Sequence, residues 1–296
     1  MLETLNSCPY CENSNISHFL VAMDHTVSHQ EFNIYRCEDC GLIFTNPRPN
    51  ESSIGKYYES DDYISHTNSS RGIFNKIYQS ARKYAISRKY ELIKKSSPQT
   101  LLDIGCGTGE FLAYCKEKGI QVTGLEPDEK ARELAKHHYG LNVFEPAALS
   151  SMPPGSYSAV TMWHVLEHVH NLKKNIKDIH SVLQERGHCI IAVPNPSSMD
   201  AIKYGQDWAA LDVPRHLSHF MPATLKQIFQ SNGFNHIESV PMKLDAFYVS
   251  MLSEKYLAGR QSISTIIKGA LVGLKSNLTA KNAESYSSVI YVFQKA

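Results

Sequence analysis

The chain lacks any apolar run long enough and free enough of charge to span a bilayer, and its N-terminus lacks the basic-then-apolar pattern of a secretory signal. A cytoplasmic protein with no transmembrane segment is therefore expected. It also lacks a dominant charge: 30 Lys and Arg stand against 29 Asp and Glu, a formal net charge of +1. No global field would draw it to nucleic acid or an anionic surface, so a small-molecule substrate is expected instead. Internal repeats and low-complexity tracts are absent. The seven cysteines are odd in number, which argues against a disulfide framework. What remains is ordinary globular composition in 296 residues, enough for one large domain or for one domain with a small module.

A glycine is also missing where a dinucleotide fingerprint would need it. The run Leu101-Leu102-Asp103-Ile104-Gly105-Cys106-Gly107-Thr108-Gly109-Glu110 reads as an apolar strand, a glycine turn and a helix start. Glycines allow positive φ and let a ligand approach the main chain. Counting G-x-G-x-x-G from Gly105, the third glycine would fall at Glu110, with Asp103 just upstream. Two carboxylates around a helix N-terminus repel a pyrophosphate. They suit a cofactor without phosphate and with positive character, such as S-adenosylmethionine (SAM), which carries a sulfonium and an ammonium. Glu126, before Pro127 and about twenty residues beyond Gly105, stands where a carboxylate accepts from both ribose hydroxyls. The plain alternative is a solvated Glu in a turn before a helix.

Four of the cysteines form two C-x-x-C pairs, Cys8/Cys11 and Cys37/Cys40, the second followed by Gly41. Two such knuckles about twenty-five residues apart can close a tetrahedral four-thiolate zinc site, structural because the protein fills every position. A redox pair is the alternative. Cys106, Cys115 and Cys189 read as small buried hydrophobes. The expected organisation is a zinc-bearing module over 1–50, a helical lead-in over 51–98 and an α/β domain over 99–296. The lead-in carries a helix from about Ser70 to Ser96 with eight Lys or Arg against one acid. That helix is either a solvated face or a surface for phosphate, RNA or membrane. Beyond it, strands and helices alternate, which implies a parallel sheet covered on both faces. An insert is expected over about 196–220 and a helical segment over about 245–280.

Two further clusters carry chemistry. Trp163-His164-Val165-Leu166-Glu167-His168 follows the fourth strand and should border the cofactor's reactive end. It also matches H-x-x-E-H, an inverted zinc-protease pattern, although no downstream acid stands out as a third ligand. The Asn/Asp-Pro-Pro-aromatic turn of exocyclic N-methylation is missing after this strand. The insert supplies Trp208 and then Pro214-Arg215-His216-Leu217-Ser218-His219, side chains suited to a polar acceptor. His216 is the first candidate for a base, with His164 and His168 behind it, and Arg215 could hold an anionic group such as a phosphate. The plain reading is a packed loop whose histidines bond to backbone.

With these motifs in hand, the chain resembles the class I SAM-dependent methyltransferases, in the branch with an N-terminal zinc ribbon found in bacterial small-molecule and surface-glycan biosynthesis. The resemblance implies a Rossmann-like seven-stranded α/β sheet whose last strand, Ser287–Phe293, is antiparallel. It also implies a SAM site made by Asp103, Gly105, Cys106, Gly107, Gly109, Glu126, Pro127, Trp163 and His164. An O or C atom of a sugar, sugar-nucleotide or glycan precursor would be the methyl acceptor. Tyr157-Ser158 departs from the usual aromatic-Asp at the fourth strand, and no adenine-side acid stands out around Ala147-Ala148-Leu149. An RNA-modifying methyltransferase with a zinc ribbon is one alternative, and a non-catalytic SAM-binding or interaction module is another.

Overall fold

The computed structural model describes residues 1–59 and 73–296, with backbone alone for 73–81. The stretch 60–72, with the expected helix start at Ser70, lies outside the described residues. The N-terminal module holds β1 (Leu2–Glu3), β2 (Ile16–Met23), β3 (Glu31–Cys37), β4 (Ile43–Thr45) and β5 (Arg48–Pro49). Alternation in β3 sends Phe32 and Ile34 inward, as a half-buried strand requires. The hairpin between β2 and β3 turns at Asp24, whose buried carboxylate accepts from the backbone N–H groups of Thr26, Val27 and Ser28.

Helix α1 (Ile73–Lys94) leads to the main domain. There β6 (Thr100–Ile104), α2 (Glu110–Glu117), β7 (Gln121–Leu125), α3 (Glu129–Tyr139), β8 (Asn142–Phe144), β9 (Tyr157–Trp163), α4 (Leu172–Val182) and β10 (Leu183–Pro194) alternate. The insert holds α5 (Met199–Tyr204) and β11 (Ser218–His219). Helix α6 (Pro222–Gln230), β12 (Phe234–Pro241), the helical pair α7 (Asp245–Ala258) and α8 (Ile263–Thr279), and β13 (Ser288–Lys295) complete the chain. The seven-stranded sheet runs β12-β13-β10-β9-β6-β7-β8, with β13 antiparallel to both neighbours. It is the mixed Rossmann-like sheet expected from the sequence.

The strands bury both faces, which is why they read as near-continuous apolar runs. Leu102, Ile104, Val160 and Met162 pack with Ile176, Ile179, Leu225 and Phe229 of α4 and α6. Leu101, Ala159, Trp163 and Ile190 pack on the other face with Phe111, Leu112 and Ala135 of α2 and α3. Cys8, Cys37, Leu42 and Phe44 join the first of these cores.

The module's sheet also continues into the insert. β11 pairs antiparallel with β4, giving the order β11-β4-β3-β2. A chain division at Asn50 therefore crosses a shared sheet and a shared core. In α8, Gly269 and Gly273 face α7 so closely that a Cβ would lie 2.4 Å from the Met251 Cα and 2.7 Å from the Phe247 Cα. Among the described residues no helix is long and apolar enough to cross a membrane.

Candidate active site

The glycine turn sits at the carboxyl end of β6. Gly105, Gly107 and Gly109 adopt φ of 75°, 55° and 86°. The turn is closed on two sides: a Cβ on Gly105 would lie 2.3 Å from Val165 Cγ2, and one on Gly109 would lie 2.6 Å from Leu141 Cδ1. Above Gly107 nothing lies within 4 Å, so the backbone there is open to a ligand. Glu126 sits beside that opening. Its Oε2 accepts from Gly107 N at 2.8 Å and its Oε1 from Asp128 N at 3.0 Å. Burial pushes its pKa up against those two N–H groups. Arg132, which sequence reasoning passed over as one more helix residue, donates to the carbonyls of Glu126 and Pro127 and locks this turn. Its other amino group holds Glu145, an acid that directly follows β8. The Cys106 thiol points away, to where a Cβ on Gly124 would touch it at 2.5 Å, so Cys106 offers a ligand its backbone only.

Asp103 and Trp163 face the α1 and α2 side of the sheet. Thr161 Oγ1 donates to Asp103 Oδ1 at 2.6 Å across paired strands. Lys89 of α1, missed in the sequence among the other basic residues of its helix, places Nζ 4.6 Å from the Trp163 ring centroid. Arg82 of the same helix is committed to Glu110, and Lys95 just beyond it to Glu238. Burial holds the Asp103 carboxyl up at about 7, with Glu126 adding while Thr161 and Lys89 oppose.

The unfolded chain would release this proton near the ordinary 3.8, so between that pH and about 7 the folded state binds more protons. Stability therefore falls as pH rises through this window. Asp103→Asn should gain on the wild type by about 2–3 kcal/mol between pH 5 and pH 8. Urea unfolding at both pH values measures this, and a pH-independent difference would contradict it.

The histidines separate into different roles. His164 adopts φ 57°, and Leu166–His168 forms a single 3-10 turn, so His164 and His168 do not stack on one α-helix as the H-x-x-E-H reading requires. His164 Nε2 contacts Asp245 Oδ2 at 3.0 Å and Nδ1 lies 3.4 Å from Glu167 Oε1. Burial opposes its charge, but Asp245 and Glu167 outweigh that and hold its pKa at about 10. An imidazolium cannot accept a proton, which corrects His164 as a candidate base.

His216 is 7% exposed and its Nδ1 meets the Ala210 carbonyl at 2.9 Å. Burial, then His168 and His219, push its pKa well down, so it is neutral. His168 Nδ1 meets the Arg215 carbonyl at 3.0 Å.

One substrate assignment is corrected and another is narrowed. Arg215 is 1% exposed, and its guanidinium is committed to Asp212, Asp24 and the Tyr57 carbonyl, leaving nothing for an acceptor's anion. The Trp208 N–H is spent on Asp200 Oδ2 at 2.9 Å, although its ring still walls a small cavity beside His216.

Cys8, Cys11, Cys37 and Cys40 converge with all four sulfurs within 4.8 Å of one another. The Cys8–Cys40 and Cys11–Cys37 sulfurs are 3.6 and 3.5 Å apart. Sulfurs about 2.3 Å from one zinc at tetrahedral angles are about 3.8 Å apart, so the cluster fits that ion. All four are free thiols.

Residues 78–239, more than half of the chain, match a family described as a methyltransferase domain. The malonyl-[acyl-carrier protein] O-methyltransferase of Serratia marcescens is 29% identical over 133 residues, 43% of this chain and 49% of that protein. The ubiquinone biosynthesis O-methyltransferase of Nitrosomonas europaea is 27% identical over 156 residues, 48% of this chain and 66% of that protein. The chain thus spans less than two thirds of the length of these relatives, about half of the first. The crystal structure of a SAM-dependent methyltransferase from Archaeoglobus fulgidus shares the fold, with a TM-score of 0.51 at 21% identity over 75% of this chain and 98% of that one. Strand order, glycine turn and matched residues lead to one conclusion: the chain belongs to the methyltransferase-domain family, on the class I fold whose cofactor is S-adenosylmethionine.

Proposed function

We propose that the protein is a SAM-dependent O-methyltransferase acting on the hydroxyl of a small polar acceptor, with the cytosol as its place of work. The observation that carries this reading is the open backbone at Gly107 beside the buried carboxylate of Glu126. SAM supplies, when bound, a methyl group made electrophilic by its sulfonium. Glu126 keeps free lone pairs for the two ribose hydroxyls, and Pro127 borders the same turn. Asp103 and Lys89, on one face of the sheet, offer opposite charges to the ammonium and carboxylate of the amino-acid end. Trp163 and Phe111, edge to face at 5.6 Å, wall off water there. The enzyme's remaining work is alignment of the acceptor and removal of one proton. Two relatives with O-methyltransferase names support oxygen over carbon. A sugar, sugar-nucleotide or glycan precursor is the acceptor class we favour, and an RNA substrate is disfavoured because Arg82 and Lys89 of α1 and Lys95 just after it already have partners within the chain.

In this reading the four cysteines hold one structural zinc, which ties the 1–50 module to the insert through β4 and β11. The test of the transfer reaction uses SAM with an isotopically labelled methyl and a panel of hydroxyl-bearing sugars, sugar nucleotides and quinols. The label is expected on oxygen in the product's NMR spectrum. Label confined to carbon or nitrogen would overturn the O-methyl assignment.

A further inference from the structure

Glu167 is 1% exposed, and neither carboxylate oxygen has a hydrogen-bond partner. His164 lies 3.4 Å from one of them but without hydrogen-bond alignment, and is held instead by Asp245. His164 thus meets part of the cost of this buried carboxylate, and Oε2 is left without a partner. Two histidines stand beside it, and one donor atom from each of Glu167, His168 and His216 lies within 4.8 Å of the other two.

The proton positions on these rings follow from their partners. A carbonyl can only accept, so His216 Nδ1, at 2.9 Å from the Ala210 carbonyl, carries the proton and leaves Nε2 a lone pair. His168 Nδ1 meets both the Arg215 carbonyl at 3.0 Å and the Tyr58 hydroxyl at 2.9 Å, so the carbonyl alone does not fix the proton on this ring. Backbone carbonyls fixing the far nitrogen of an imidazole are the usual support of a histidine that ligates metal. His216 Nε2 is 4.0 Å from Glu167 Oε1, too far for a hydrogen bond. Two atoms that each sit about 2.1 Å from one ion are about 3.0–3.4 Å apart at octahedral or tetrahedral angles, so an ion would draw this pair together by roughly half an ångström to one ångström. A cavity lined by Glu167, His216, His219 and Trp208, though not by His168, adjoins this group and has a volume of about 10 Å³, room for one water-sized particle.

We propose that Glu167, His168 and His216 form a second metal site, separate from the cysteine cluster, for one divalent ion such as Mn²⁺ or Fe²⁺. Two imidazoles and a carboxylate suit these ions, whereas the four thiolates select zinc. Three protein ligands leave coordination positions that only water-sized ligands can reach. In this site His216 acts as a ligand and not as a base.

The test titrates Mn²⁺ into the zinc-loaded protein without SAM or acceptor, following the electron paramagnetic resonance signal of free Mn²⁺. One saturable Mn²⁺ per chain is expected. Glu167→Gln and His216→Ala should each weaken it at least about tenfold while zinc content stays at wild-type level. Should either variant fold poorly, paramagnetic broadening of the His168 and His216 ring resonances in the wild type decides without a substitution. Absence of binding and of broadening, or affinity unchanged in both variants, would overturn the site. Because no methyl transfer is read, this outcome is independent of the labelled-methyl assay.

Discussion

Replacing Cys37 with serine should strip the proposed zinc from the N-terminal module and loosen far more than the module itself. A structural four-thiolate site contributes apparent binding energies of about 10–16 kcal/mol in isolated zinc modules, and losing one thiolate forfeits most of it. Here the sulfurs are embedded in shared structure. Cys37 is fully buried in the core that also holds Ile176 of α4 and Leu225 of α6. Its strand pairs with β4, which pairs with β11 of the insert. Across the same seam Asp24 of the module receives the buried Arg215 at 3.1 Å, and Thr45 donates to the His216 carbonyl at 2.7 Å. Loss of the ion should therefore expose residues 1–50 to protease and also lower the melting temperature of the whole chain. Metal analysis should fall from one zinc per chain towards none. Full zinc retention in Cys37→Ser would place the metal elsewhere.

These connections also mark the limit of what could be read from the residues alone. The central sheet was legible because strands such as Leu101–Ile104 and Tyr157–Trp163 are apolar on both faces and bounded by turns. The cysteine pairs were legible because a knuckle's spacing is local. Glu126 was legible because strand, turn and strand set its distance from Gly105. Arg215 was not: its partner Asp24 lies 191 residues away, and nothing near Pro214 distinguishes a guanidinium aimed at substrate from one aimed at a buried carboxylate. His164 failed for a related reason. Its charge depends on Asp245, which arrives from a helix about eighty residues further on. Lys89 was hidden because seven other basic residues share its helix region, and only the packing of α1 against Trp163 sets it apart. β11 is two residues long, below any periodic signal. Its pairing with β4 turned an apparent appendage into a neighbour of the insert.

Glu126→Ala should abolish cofactor binding at ordinary concentrations. Its carboxylate serves twice: it would accept the ribose hydroxyls, and it already holds the N–H groups of Gly107 and Asp128 that shape the turn. Each charge-assisted hydrogen bond is worth about 1.5–3 kcal/mol, so losing a bidentate pair costs on the order of 3 kcal/mol or more. That is at least about a hundredfold in affinity. Glu126→Gln, which retains one acceptor oxygen, should fall between. The loss should come with little change in zinc content, since Glu126 lies outside the cysteine cluster. The measurement is calorimetry of the demethylated cofactor, S-adenosylhomocysteine, titrated into wild type, Glu126→Gln and Glu126→Ala. One-to-one binding by the wild type, weakened in that order, is the predicted result. Wild-type affinity in Glu126→Ala, or no binding by the folded wild type, would contradict a cofactor site at the Gly105–Gly109 turn.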